Sequence, residues 1–298
     1  MQRPDEIQAR AGLIASESSL LGLGAGTLVS VALAVALQGR HALPVLRPAV
    51  AAAAGLLTCG VTLMVFARRL DVGASARRPQ GLPQTFRPTV LLAAVTAAVA
   101  WLALVLIARH EAGLGATTGP APYGPGAAVV AVVAALAGVP LLGALGLRQV
   151  AAAGGATMPV AQLLQATGHS LLGGFALLML IGFASRAMTV ELKYTLGTAI
   201  TTLGAHTILW STWLLRGSRQ AVAQMRADGV RMPLVERGHW LASAAVVAGL
   251  LVPGLVVLAN LVTVRDTGLA VACSVLAVSN HAMRYAWVLL PLGRLKSK

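Results

Sequence analysis

Apolar residues gather along the chain into eight stretches separated by short polar breaks: 11–37, 43–67, 88–108, 126–147, 159–185, 194–215, 239–264 and 267–293. A helix needs roughly 20 apolar residues to cross the hydrocarbon of a bilayer, and each stretch is about that long or longer. The pattern predicts an all-α integral membrane protein, a bundle of eight transmembrane helices running up and down. Residues 1–298 form a single transmembrane domain, with no soluble domain and no internal repeat.

Polar residues inside the stretches then become informative. Segment one carries Glu17, Ser18 and Ser19 early and continues as Leu20-Leu21-Gly22-Leu23-Gly24-Ala25-Gly26-Thr27. Glycines in this pattern let a neighbouring helix approach closely. Pro140 in segment four predicts a kink, and Gln162, Gln165 and His169 form a polar stripe on segment five. Segment six carries Thr202, His206, Trp210 and Trp213, and segment seven opens with His239-Trp240. Segment eight contains Ser279-Asn280-His281-Ala282-Met283-Arg284-Tyr285-Ala286-Trp287, in which His281, Arg284 and Tyr285 share one helix face.

Composition agrees with the pattern. The chain is 57% hydrophobic and 11% charged, with a mean hydropathy of +0.79, against about 25% charged residues in soluble domains. With eight spans, 16 of the 23 Lys and Arg fall on the side of the two termini, apart from the intramembrane Arg284. The positive-inside rule therefore places both termini in the cytoplasm and the protein, as a multi-pass chain, in the cytoplasmic (inner) membrane. The net charge of +14 reflects this loop bias, with a basic docking face as a second reading, and implies no nucleic-acid partner. Met1–Arg10 is charged, but the apolar stretch after it is too long for a signal peptide and reads as a retained first span. Cys59 and Cys273 lie far apart inside apolar segments. Without a CxxC or a Cys cluster, no iron–sulfur centre fits in this chain alone, and no disulfide is expected.

Ionisable residues within spans are costly and by default functional. Glu17 and Arg284 both fall in the cytoplasmic half, where the two can meet, as a proton-handling carboxylate beside a ligand pocket or as a structural ion pair. His169 and His206 lie at matched depth on successive segments. They suit axial ligation of a b-type haem, a quinone or proton path, or plain interhelical hydrogen bonds. Arg284 with Tyr285 and Trp287 makes a cradle for a planar headgroup, or an ordinary aromatic belt. His239 beside Trp240 reads as a belt residue; His41 and His110 receive no role. The chain has no Walker A loop, HExxH, DxxD pair or Ser-His-Asp arrangement. No catalytic residue and no metal site is assigned to it.

The glycine-rich opening helix, the basic loop after span two, the chain length, the eight spans and the Arg284-Tyr285, Trp287 cluster together resemble the DmsC/NrfD-like membrane anchor subunits of molybdopterin oxidoreductase complexes. The resemblance implies a quinone- or quinol-reactive anchor (ubiquinone or menaquinone) of the kind used in anaerobic respiration. It passes electrons between the quinone pool and a partner iron–sulfur subunit. Molybdopterin and the iron–sulfur clusters belong to partner subunits, placed by the charge bias on the cytoplasmic side. Its quinone-binding residues are Arg284, Tyr285, Trp287, Glu17 and Ser18, and its proton relay uses Glu17 with His169 or His281. Two departures stand out. Gln84-Thr85-Phe86-Arg87-Pro88 lacks the acidic residue found near the start of span three in the family, and Arg68-Arg69 stand where many members have a histidine. A transporter or permease, and a b-haem electron-transfer subunit held by His169 and His206, are the alternative readings.

Overall fold

The computed structural model describes residues 4–74, 86–115, 125–152, 159–227, 233–263 and 265–290. Among them every regular element is a helix and no strand occurs. α1 (Pro4–Gln38) leads through one 3-10 turn (Gly39–His41) to α2 (Leu43–Ala74), α3 (Phe86–Gly115), α4 (Pro125–Ala152), α5 (Pro159–Ala184) and α6 (Val190–Ala227). α7 (Pro233–Val246) and α8 (Val252–Thr263) join end to end through a π-helical turn (Val247–Leu251), and α9 (Asp266–Leu289) closes the described chain. The described helices thus form eight rods. Arg77, Arg78 and the prolines Pro79 and Pro83 of the expected basic loop lie outside the described residues.

The rods match the expected stretches in order, and differ at their ends. α6 runs 12 residues past the expected end at 215, and α1 starts well before residue 11. Hydropathy reports where lipid is tolerated, whereas a helix continues through polar residues until its backbone is interrupted. α4 runs continuously through Pro140; such prolines are tolerated in membrane helices because neighbours satisfy the freed backbone groups.

Six of the described helices are long and apolar enough to cross a membrane: α1 to α5 and the joined α7–α8. The protein is accordingly a multi-pass helical membrane protein. α6 and α9 fall outside that set. α9 carries Asp266, Asn280, His281 and Arg284, and α6 carries Lys193, several threonines and His206 before its basic extension. Both are nevertheless packed into the bundle. Polar contacts tie the rods together at two ends. At one end the Gln38 amide donates to Thr195 Oγ1 at 2.5 Å and Lys193 pairs with Asp266, joining the end of α1 to the starts of α6 and α9. At the other, Glu17 pairs with Arg148, and Arg284 bonds Ser170, joining the starts of α1 and α5 to the ends of α4 and α9. This is the order expected of rods that alternate in direction.

α1 and α5 form the centre. In each, 67% of the most apolar window is buried, against 33% in α3. The outer helices turn Leu91, Leu102, Val129, Leu136 and Val262 outward, as lipid contact requires. Close approach at the centre comes from two stripes of small residues, Gly22 and Gly26 on α1 facing Ser170 and Gly174 on α5. A Cβ placed on Gly26 would lie 2.0 Å from the Ser170 carbonyl oxygen, and one on Gly174 would lie 2.3 Å from the Gly26 carbonyl carbon. Helices in lipid gain little from the hydrophobic effect on associating, so backbone-to-backbone packing of this kind supplies much of the attraction.

The π turn has an identifiable cause and partner. Pro253 lacks an N–H, so it cannot donate to the Gly249 carbonyl four residues earlier. That carbonyl accepts instead from the Ser279 hydroxyl on α9 at 2.8 Å. Gly249 also lets α9 come close, since a Cβ there would sit 2.3 Å from that of Ser279. The irregular turn thereby anchors α9 one residue before Asn280.

Candidate functional site

The polar residues of α9 meet α1 and α5 at one end of the bundle. Arg284 is 4% exposed. Its Nε donates to Asn280 Oδ1 at 3.1 Å, one turn earlier on the same helix, and its Nη2 donates to Ser170 Oγ on α5 at 2.5 Å. The Ser170 hydroxyl donates to the Ala166 carbonyl at 2.9 Å, so its oxygen is free to accept. Gly22 makes the space: a Cβ there would lie 2.5 Å from Arg284 Nη2. The glycine pattern of segment one therefore does two jobs, packing α5 and opening a notch for a guanidinium.

Around this bond lie buried polar atoms that find no hydrogen-bond partner among the described residues: Asn280 Nδ2, His169 Nε2 and Trp287 Nε1. The Asn280 amide orientation follows from Arg284, which can only donate and so fixes the oxygen on its side. Asn280 Nδ2 and Trp287 Nε1 are then donors in want of acceptors, and an unmet buried donor costs about 1–3 kcal/mol. Gly173 of α5 stands beside Asn280, with a Cβ position 3.0 Å from its Nδ2. His281 is exposed, and the Ser19 hydroxyl of α1 hydrogen-bonds its Nδ1 at 3.3 Å. Tyr285 is half-buried, with its ring beside Gly12 of α1.

The sequence places Glu17 and Arg284 within reach of one another; the ion pair of Glu17 is with Arg148 of α4. Glu17 is 0% exposed and the Arg148 side chain 13%. The polar break after segment four makes Arg148 look like a loop residue, but α4 continues to Ala152 and carries it along the face of α1. Two charges deep in a bundle are tolerated because each neutralises the other. Glu17→Ala is expected to destabilise the protein by about 3 kcal/mol, the low end for breaking a buried pair, because Arg148 keeps some exposure. The Glu17→Ala/Arg148→Met double variant should regain most of that loss in thermal denaturation of the detergent-purified chain. A double variant as unstable as the single one would show that the pair is not what Glu17 contributes.

His169 is 2% exposed and stands next to Ser170 at the centre. His206 lies on an exposed face of α6, edge-on to Trp210 at 6.0 Å, and Trp210 is edge-on to Trp213 at 5.6 Å. His239 and Trp240 line a separate pocket between α6 and α7. Ser18 is half-buried, and its neighbour Ser19 makes the contact with α9. Among the described residues no group of three or more His, Cys, Asp or Glu is arranged to hold a metal ion, and Cys59 and Cys273 are free thiols.

Ser170 and Arg148 were missed by sequence reasoning, which named Ser19, Gly22 and Asn280 without giving them a role at the site. Asn280 and Ser170 each had a readable signal. Asn280 precedes Arg284 by one helical turn, and Ser170 with Gly174 repeats the small-residue spacing of Gly22 and Gly26. Arg148 had none, because a basic residue at the end of an apolar stretch is ordinarily a loop charge. No protein-family model matches the chain, and no curated protein does.

Proposed function

We propose that the chain is the membrane anchor and quinone-reactive subunit of a multi-subunit molybdenum iron–sulfur oxidoreductase. In this reading it spans the cytoplasmic membrane eight times, with both termini in the cytoplasm, and α6 and α9 cross with the other rods. The observation that carries the proposal is the set of buried donors on α9. The Arg284 guanidinium is held by Asn280 and Ser170, and Asn280 Nδ2 and Trp287 Nε1, on the same helix, are buried donors without acceptors among the described residues. A quinone headgroup offers carbonyl acceptors and a flat apolar ring, and so fits a donor-rich, half-aromatic site.

A bound quinone supplies two-electron, two-proton redox chemistry, and the chain supplies position and proton access. Arg284 holds a ring carbonyl as a fixed cation, itself held by Ser170 and Asn280. Tyr285 and Trp287 border the ring. His281, exposed and bonded to Ser19, offers a proton route between the outside and the cluster, with His169 at its inner end. Glu17 and Arg148 stand at the same end of the bundle. Two isolated cysteines leave the iron–sulfur and molybdopterin chemistry to partner subunits on the cytoplasmic face.

The test is gentle detergent purification of the chain with whatever accompanies it, followed by an oxidised-minus-reduced visible spectrum. Broad iron–sulfur bleaching, large extra subunits and no sharp haem bands are expected. Sharp b-type bands would instead make the chain a cytochrome. A colourless chain that elutes alone, and that crosslinks to no cytoplasmic subunit in intact membranes, would sink the proposal.

A further inference from the structure

A second polar site lies away from the α1/α5/α9 cluster, where the basic extension of α6 packs beside the start of α7. It is a partly open pocket of about 400 Å³. Arg219 and Arg226 of α6 and Glu236, His239, Trp240 and Ser243 of α7 line it. Its depth in the membrane is readable from its neighbours. Trp210 and Trp213 precede it on α6, and the apolar run of α7 begins just after Trp240, so it sits at the interface between hydrocarbon and water.

The charges are unevenly matched. Arg226 Nε donates to Glu236 Oε1 at 2.9 Å, so this cation and this carboxylate cancel. Arg219 is exposed and makes no ion pair among the described residues. The His239 ring donates to the Leu215 carbonyl of α6 and leaves its Nε2 as an acceptor without a partner among them, while Ser243 spends its hydroxyl on the His239 carbonyl at 3.0 Å. The pocket therefore carries one uncompensated positive charge. Trp240 is 68% exposed.

We propose that this pocket binds the phosphate headgroup of an anionic phospholipid. Arg219 supplies the countercharge at the pocket wall. The acyl chains run past Trp240 into the bilayer. Basic pockets between membrane helices at an anionic leaflet suit this ligand, each basic residue near the surface contributing about 1 kcal/mol. A zwitterionic headgroup brings its own cation against Arg219 and Arg226 and is disfavoured. The site shares no residue with the α9 cluster, so it stands or falls independently of the quinone proposal.

The experiment uses the full chain in detergent at fixed ionic strength, titrated with short-chain phosphatidylglycerol, short-chain phosphatidylcholine or inorganic phosphate. Thermal stability and lipid adducts in native mass spectrometry are the readouts. Phosphatidylglycerol is expected to stabilise the wild type and remain as one adduct, and phosphatidylcholine to do neither. Arg219→Ala should weaken binding about fivefold, the worth of one basic residue near an anionic headgroup. Glu236→Gln should strengthen it, because Arg226 is released from its partner. Arg109→Ala, at the other end of the bundle, should change nothing. Equal binding of the two lipids, or wild-type binding by Arg219→Ala, would overturn the proposal. If inorganic phosphate reproduced the whole stabilisation and phosphatidylglycerol added none, the pocket would take free phosphate and the lipid assignment would fall.

Discussion

Gly26→Ala is expected to remove most of the folded protein, whereas Gly55→Ala is not. At Gly26 a single added carbon would lie 2.0 Å from the carbonyl oxygen of Ser170 and 2.7 Å from its carbon. Both are backbone atoms of a helix and cannot swing aside as a side chain does, so α1 and α5 must move apart. Overpacking ordinarily costs about 1–3 kcal/mol, and this site belongs at or above the top of that range. The damage also spreads. Moving α5 away carries Ser170 from Arg284 and leaves a guanidinium inside the bundle with one fewer acceptor. At Gly55 a Cβ meets nothing within 4 Å, and Gly to Ala in a helix gains up to about 1 kcal/mol from backbone propensity. The monodisperse fraction after detergent extraction compares the two variants directly. Equal recovery would mean that these glycines do not set the α1–α5 spacing.

On the function proposed above, Arg284→Ala is expected to lower quinone-dependent turnover of the complex about a hundredfold, equivalent to about 2.7 kcal/mol of transition-state stabilisation. Hydrogen bonds from a charged donor contribute about 1.5–3 kcal/mol each, and Arg284 makes two that fix its own position before any ligand arrives. Arg284→Lys should recover only part of the loss, because an ammonium cannot reach Asn280 and Ser170 in the geometry of a planar fork. The useful comparison is between two electron acceptors. Turnover of the partner subunits with a soluble artificial acceptor should be unchanged, while turnover with quinone falls. Full quinone turnover in Arg284→Ala would remove the residue from the mechanism and leave the cluster a structural one. A loss with both acceptors would point to failed assembly.

Much of this architecture was legible in the sequence, because hydropathy and helix length obey the same constraint in lipid. The order of the rods and their approximate extents followed from it. The glycine pattern of segment one announced close packing, and α5 supplies the other half. The details that escaped were those of pairing. Nothing in a linear pattern says that Glu17 meets Arg148 rather than Arg284, since both arginines lie at the same end of the bundle. Which one wins depends on the rotation of α1, which its glycines set against α5. The irregular turn in the seventh rod was equally hidden. Pro253 suggests a break, but its consequence is a hydrogen bond with Ser279 on another helix.

The Arg284–Ser170 bond also bears on how such a chain is made. Ribosomes deliver helices one at a time, and α9 follows α1 and α5 carrying a charge that costs about 2.5–3.5 kcal/mol at the centre of an isolated membrane helix. The groove that receives that charge is built from Gly22 and Ser170, both synthesised long before it. The place of α9 in the bundle therefore depends on a receptacle formed by helices that precede it in the chain. The position of α9 is a property of the assembled bundle and not of its own hydropathy.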